Sequence, residues 1–210
     1  WFHLKIAFPM GFQMSVMCIG QLAMQASVNA LGSAAVAGYT AATKADQVSV
    51  LVNNAMGTAI SNYVAQNYGA GDWQRIRKGV RACLIQTESL NVLMCVGILL
   101  LREPIVQLFI TAPTEEIIRY SNGYLNVVAP FYLVLGLLLV YRTAVQGMQN
   151  TKAPFTACMI ELVMRLASTI GLTAVIGYTG VCLASPLAWI GAVVFLVPVY
   201  YGMVRGKESV

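Results

Sequence analysis

The chain has 210 residues, of which 58% are hydrophobic and only 10% are charged, whereas about 25% of residues are charged in ordinary soluble domains. Its net charge is +5, its mean hydropathy is +0.70, and two long stretches, Ile6 to Thr43 and Leu166 to Val204, contain no Asp, Glu, Lys or Arg. About 20 apolar residues span a hydrocarbon core. These features exclude an ordinary soluble domain and predict an all-α membrane protein.

Six transmembrane helices are predicted to form a single lobe over residues 1–210. In chain order they lie near residues 4–29, 33–66, 75–101, 115–147, 153–176 and 185–204. Glycine, proline and asparagine mark the connections, because these residues favour turns. Pro130 lies inside the fourth predicted helix and predicts a kink there, since proline lacks a backbone donor.

The basic residues predict the orientation, because they mark the cytoplasmic side when they lie in short loops. With the N-terminus inside, the cytoplasmic ends collect Lys5, Arg75, Arg77, Lys78, Arg81, Arg142, Lys152, Arg205 and Lys207, and the outer ends collect Arg102 and Arg119. Both ends of the segment are therefore predicted to be cytoplasmic, in the plasma (inner) membrane. Topology and anionic lipid account for the positive charge, so no nucleic-acid partner is needed.

The residue types that carry most hydrolytic and metal chemistry are sparse. The single histidine is His3, which leaves no His-based triad or zinc-hydrolase motif. The cysteines stand singly, at Cys18, Cys83, Cys95, Cys158 and Cys182, so neither a disulfide framework nor a metal site is indicated. The sequence predicts a protein that is not an enzyme and that has no metal or organic cofactor.

The most specific segment runs from Asn62 to Arg81. It ends one predicted span, turns through Gly69 and Gly71, and begins the next span under a basic cluster. It resembles the loop after the second span of a lobe in the multidrug and toxic compound extrusion (MATE) family. Further matches to that family lie at Ile6–Pro9, Asn29–Tyr39 and Glu161–Arg165.

The resemblance implies a transporter of twelve helices in two six-helix lobes with a cleft between them. This chain resembles the C-terminal lobe, so its expected partners are the N-terminal lobe of the same polypeptide, membrane lipid and a small amphipathic or cationic substrate. The implied activity is H⁺- or Na⁺-coupled export by alternating access of the lobes. The opening at Trp1, without Met and directly on a span, is expected of a C-terminal part, although a trimmed chain would look the same.

One departure from the family concerns the coupling ion. Sodium-coupled members with a site in the C-terminal lobe carry a Glu in the first span, and N-terminal lobes usually carry an Asp there. Here no carboxylate lies between Ile6 and Thr43. Amides and hydroxyls can line a polar cleft but cannot exchange a proton, so the coupling ion is expected to bind in the N-terminal lobe.

Polar residues inside the spans are the candidates for lining the cleft: Gln21, Gln25, Tyr39, Lys44, Asp46, Gln47, Asn53, Asn126, Tyr132, Arg142 and Gln146. Lys44 and Asp46 lie deep in the second span, where a charge costs about 2.5–3.5 kcal/mol. Lys44 either faces the cleft and sets its field or pairs with charges inside the lobe.

A second group is assigned a structural or gating role: Gly69, Gly71, Pro130, Glu161 and Arg165. Glu161 and Arg165 are four residues apart with the acid first, which favours pairing on a helix. Glu88 and Arg142 are expected to join the same network.

Two alternative functions remain open. One is a flippase for lipid-linked saccharides from the same broad superfamily, which would need a more cationic cavity and finds support only in Lys44 and Arg142. The other is a non-transporting membrane assembly module.

Overall fold

Helices make up almost the whole chain, as the sequence predicts. The computed structural model describes the backbone of residues 2–205 and the side chains of residues 11–205. The side chain of Lys5 and the segment that contains Lys207 lie outside those ranges. The helices are α1 (Phe2–Asn29), α2 (Ser33–Gly69), α3 (Trp73–Phe109), α4 (Glu115–Val128), α5 (Tyr132–Gly147), α6 (Lys152–Ile176) and α7 (Tyr178–Arg205).

The fourth span is built from two helices. A 3-10 turn over Ala129–Phe131, which contains Pro130, joins α4 to α5 without a loop. The kink predicted at Pro130 therefore coincides with a break in α-helical hydrogen bonding. Among the described residues, four segments are long and apolar enough to cross a bilayer: Trp73–Phe109, Glu115–Gly147, Lys152–Ile176 and Tyr178–Arg205.

The turn between α2 and α3 is fixed by backbone geometry and by a cap. Gly71 has a φ of +73°, a left-handed conformation that favours glycine. Asp72 then begins α3 with its Oδ1, which accepts a hydrogen bond from the backbone N–H of Arg75 at 2.9 Å. This bond satisfies one of the helix's unpaired N-terminal donors, so the Gly-x-Gly-Asp run of the loop has a structural use.

Two predicted helix boundaries are wrong. The third helix continues past Pro104 to Phe109 instead of ending at residue 101, and the reason is tertiary, because Val106 beyond the proline is fully buried. The last helix begins at Tyr178 instead of residue 185. Its connection to α6 is the single residue Gly177, whose φ is +59°.

The lobe is organised around α2, which packs against α3, α4 and α5, while α1 packs mainly on α6, and α6 and α7 form an antiparallel hairpin. Tyr132 and Leu138 are among the large, fully buried side chains of this core. The outer face of α3 presents Leu93, Leu100 and Leu108 at 66%, 76% and 79% exposure. Such an apolar surface suits contact with lipid tails, which are as apolar as leucine.

Candidate functional site

One face of α2 is polar and exposed. Its residues recur at intervals of three or four, which places them on one side of the helix: Thr40, Lys44, Gln47, Asn54 and Thr58, with Leu51 among them. We call this set the polar face. Lys44 lies about 16 Å along α2 from its first residue, at 1.5 Å per residue. Because a charge at such depth is costly in lipid, the polar face fits a water-filled space.

The adjacent helix α1 adds amides to the same region. Gln21 is exposed, and the half-buried Gln25 donates a hydrogen bond from Nε2 to Asn29 Oδ1 at 3.0 Å. On the inner side of α1, Gln13 is buried, and its Oε1 accepts from Gln146 Nε2 at 3.4 Å. Gln146 therefore serves as a link between α1 and α5 in this conformation.

The inward side of α2 carries a buried carboxylate among tyrosines. The Tyr124 hydroxyl donates to Asp46 Oδ2 at 3.3 Å, and the Tyr39 and Tyr124 rings meet edge to face at 5.3 Å between centroids. Tyr132, directly after the 3-10 turn, lies beside Asp46 and Ser49. Asp46 Oδ1 is buried without a hydrogen-bond partner among the described residues.

An amide pair joins α2 to α3. Asn53 Nδ2 donates to Asn91 Oδ1 at 2.8 Å, and Asn91 Nδ2 donates back to Asn53 Oδ1 at 3.1 Å. Both side chains are fully buried, so each satisfies the other where water is absent. Asn53 therefore faces the interior of the lobe, not the polar face.

Glu161 is paired differently from the prediction. It forms an ion pair with Arg142 of α5, and the two side chains are 4% and 8% exposed. It does not pair with Arg165, one turn along its own helix. Nε of Arg165 is buried and has no hydrogen-bond partner within the described chain. Arg142 thus belongs to the Glu161 network, as expected.

The expectation that Glu88 joins that network is wrong. Glu88 lies between α3 and α5, where a Cβ atom added at Gly136 would come within 2.7 Å of Glu88 Oε1. Both Glu88 oxygens are buried and unpartnered in the described part of the chain. The side chain leaves α3 on a face that meets Gly136 of α5, while Arg142, six residues further along α5, faces α6.

A narrow space lies between α1 and α6. It measures about 180 Å³ including its open mouth and is lined by Val16, Met17, Gly20, Cys158, Glu161, Leu162 and Arg165. Gly20 leaves room for the arginine, because a Cβ atom there would lie 3.1 Å from Arg165 Cδ. Over the described residues, no group of three or more His, Cys, Asp or Glu side chains could hold a metal ion.

The structure therefore divides the predicted cleft residues into an exposed set and a buried set, with Gln25 and Gln146 half-buried between them. Gln21, Lys44 and Gln47 are exposed, as is Asn126, whose Oδ1 accepts from Arg102 at 2.9 Å. The set buried inside the lobe comprises Tyr39, Asp46, Asn53, Tyr132 and Arg142. Gly69 and Gly71 are exposed in the turn after α2.

Sequence reasoning missed three partners in the interior: Ser49, Asn91 and Tyr124. Asn91 could have been found, because it is an amide inside the apolar run of the third span. Ser49 follows Asp46 at helical spacing, which is a weaker signal. Tyr124 carries no signal in the sequence that separates it from the other tyrosines.

Comparison with known proteins identifies the family. A family model described as MatE matches residues 9–171. The chain belongs to the MatE family. Members of this family are membrane transporters.

Two curated relatives match over much of the chain. It is 28% identical to the probable multidrug resistance protein YpnP of Bacillus subtilis (strain 168) over 144 residues, which are 69% of this chain and 32% of that protein. It is 24% identical over 183 residues to a FAD transporter of Shewanella oneidensis, covering 87% of this chain and 40% of that protein. The chain thus spans less than half the length of these relatives.

Solved structures of MatE proteins share the fold. An outward-facing multidrug resistance MATE family transporter of the MOP superfamily superposes with a TM-score of 0.86 at 17% identity, over 97% of this chain and 45% of that one. The Vibrio cholerae MATE transporter VcmN in its bent form gives 0.87 at 19% identity, over 96% and 46%. The six spans of this chain therefore share the MatE fold and correspond to a little less than half of each of these two transporters.

Proposed function

We propose that this chain is the C-terminal lobe of a cation-coupled multidrug efflux antiporter that works by alternating access against an N-terminal lobe of the same polypeptide. The polar face of α2 is the observation that carries the proposal. It presents Lys44 and Gln47 to the outside of the lobe at a depth where lipid would penalise them. A substrate-filled cleft between two lobes gives these groups a polar environment.

The proposal includes the orientation of the lobe in the membrane and the place where the coupling ion binds. Both ends of the segment lie on the cytoplasmic side of the plasma membrane, as the basic residues indicate. The driving H⁺ or Na⁺ binds in the N-terminal lobe, because the first helix here offers the amides Gln21 and Gln25 and no carboxylate from Ile6 to Thr43.

The test replaces polar groups on the polar face and follows export of a fluorescent cation. The complete polypeptide is expressed, and ethidium uptake into everted membrane vesicles is measured under a proton gradient and then under a sodium gradient. Gln47→Leu and Asn54→Leu should each slow uptake about two- to tenfold, since a hydrogen bond contributes about 0.5–1.5 kcal/mol. Ser89→Leu is the matched control, because Ser89 is exposed among the apolar residues of α3.

If Ser89→Leu slows ethidium uptake as much as the two α2 variants, or if the α2 variants leave uptake unchanged at equal expression, the polar face does not line the cleft.

An anionic substrate is the second candidate, because a relative is named as a FAD transporter and Lys44 is the basic residue of the polar face. Lys44→Gln should slow FAD transport and leave ethidium uptake equal or faster, since the substitution removes a charge that attracts phosphate and repels cations. Lys152→Gln, an exposed lysine at the start of α6, is the control. Slower ethidium uptake without an effect on FAD would reject this candidate.

A further inference from the structure

A row of polar side chains, of which Glu88 is half-buried and the others are buried, lies between α2, α3 and α5. It consists of Asp46, Ser49 and Asn53 on α2 and of Asn91 and Glu88 on α3, and we call it the polar row. The α2 members are spaced by three and four residues, which places them on one side of the helix, opposite the polar face. Ser49, Asn53 and Asn91 are fully buried, and Asp46 is 9% exposed.

The polar row contains two carboxylates, Asp46 on α2 and Glu88 on α3. Seven residues separate Asp46 from Asn53, which corresponds to about 10 Å along α2. The reciprocal Asn53–Asn91 hydrogen bonds at 2.8 and 3.1 Å then cross to α3. Glu88 lies one turn before Asn91, and the backbone of Gly136 faces both, because an added Cβ atom would collide with each of their side chains.

The Glu88 carboxylate lacks the partners that a buried anion needs. Both of its oxygens are buried with no hydrogen-bond partner in the described structure. An ionised carboxylate left unpaired in such a site is strongly unfavourable. One proton on Glu88 removes that cost, because it changes the side chain from an anion to a neutral acid.

Among the described residues, no cation pairs with Glu88. From α2 the row is faced by Asp46 itself, from α4 by Tyr124, from α5 by Tyr132, and from α3 by Cys83 and Cys95. Arg165 of α6 interacts with Tyr39 and Tyr124 at the Asp46 end of the row, away from Glu88. Arg142 of α5 is engaged by Glu161, and Lys44 of α2 is exposed on the opposite face.

We propose that Glu88 is a proton-binding site inside this lobe, at the α3 end of the polar row. One proton from the aqueous phase adds to one carboxylate oxygen of Glu88. Tyr132 lies beside Asp46 and Ser49 at the α2 end of the row, and its hydroxyl can both accept and donate a proton. The proposal deepens and rests on the proposed function: it adds a proton site in this lobe to the coupling site expected in the other.

The experiment reads protonation directly. The complete polypeptide is purified, reconstituted into phosphatidylcholine–phosphatidylglycerol vesicles and examined by infrared difference spectroscopy across a series of pH steps in H₂O and D₂O. A carboxylic-acid carbonyl band that shifts in D₂O should be lost in Glu88→Gln, which keeps the shape of a neutral glutamic acid. Glu115→Gln, an exposed acid in the first turn of α4, should retain it.

A second variant tests the local geometry without removing a polar atom. Gly136→Ala should displace Glu88 and Asn91 and change the proton affinity read from the same band by about tenfold. A band that is identical in wild type and Glu88→Gln overturns the proposal, and so does a band that disappears equally in Glu115→Gln.

Ethidium and FAD transport, measured with the same preparations, separate the two levels of inference. If wild-type vesicles transport neither compound but the Glu88 band is present, the proposed function fails and the proton site stands. If transport proceeds and Glu88→Gln leaves the band unchanged, the proton site fails and the proposed function stands.

Discussion

Replacement of Glu161 by glutamine should strongly destabilise the lobe, because it leaves Arg142 charged and uncompensated in the interior. The two side chains are 4% and 8% exposed, so almost none of the arginine's charge can be solvated after the change. Removal of one partner from a buried ion pair costs about 3–5 kcal/mol. At about 2–4 °C per kcal/mol for a unit of this size, the unfolding midpoint should fall by roughly 6–20 °C.

The assay uses the protein's own thiols. Cys83, Cys158 and Cys182 are free and buried, so a maleimide dye that fluoresces on reaction reports unfolding of the complete polypeptide in detergent during heating. Glu116→Gln is the control. Its partner Arg119 lies 3.9 Å away, and both side chains are more than half exposed, so the midpoint should change little.

A double variant separates the pair from either residue alone. Arg142→Met combined with Glu161→Leu removes both charges and should be close to wild type, since apolar replacement of a buried ion pair is often neutral. The reasoning is refuted if Glu161→Gln unfolds at the wild-type midpoint. It is also refuted if the unfolding midpoint of the double variant falls by as much as the sum of the decreases in the two single variants.

Two further predictions concern packing and orientation. Gly38→Ala should lower the free energy of unfolding by about 1–3 kcal/mol, because the added Cβ atom would lie 2.7 Å from the Ile117 carbonyl oxygen of α4. Gly171→Ala is the control and should be neutral or stabilising, because its added Cβ atom would have no neighbour within 4 Å. Equal unfolding midpoints for the two variants in the maleimide-dye assay would contradict the close packing of α2 on α4. In a cysteine-free background, single cysteines at Gly71 and Pro113 should react with an impermeant maleimide from opposite sides of the membrane, and reaction of both from one side would refute the assigned topology.

The helices could be predicted because lipid leaves the backbone few alternatives. In a bilayer every backbone N–H and C=O must be paired within the segment, so long uncharged stretches have to be helical. Two helix boundaries could not be predicted in the same way, namely the end of α3 at Phe109, beyond Pro104, and the start of α7 directly after Gly177. Helix α3 continues past Pro104 because Val106 is buried against the rest of the lobe, and local sequence does not reveal such tertiary contacts.

The sequence identifies the polar residues inside the spans but not the partners that each of them contacts. A polar side chain in an apolar span stands out, so the sequence alone indicates Asp46, Asn53 and Glu161 as candidates. Which neighbour each one meets depends on how the helices are rotated about their axes. Glu161 therefore pairs with Arg142 across two helices, although spacing along α6 favoured Arg165.

The one-residue turn at Gly177 bears on how the chain enters the bilayer during synthesis. Helices α6 and α7 are joined with no loop to spare, so neither can be translocated far ahead of the other, and the two are constrained to insert as a helical hairpin. Besides Lys152 at its first position, helix α6 carries two charged residues inside the span, Glu161 and Arg165, whose insertion is unfavourable. Helix α7 carries no charge before Arg205. The favourable free energy of inserting α7 can therefore offset the unfavourable contribution of Glu161 and Arg165 when the two helices insert together.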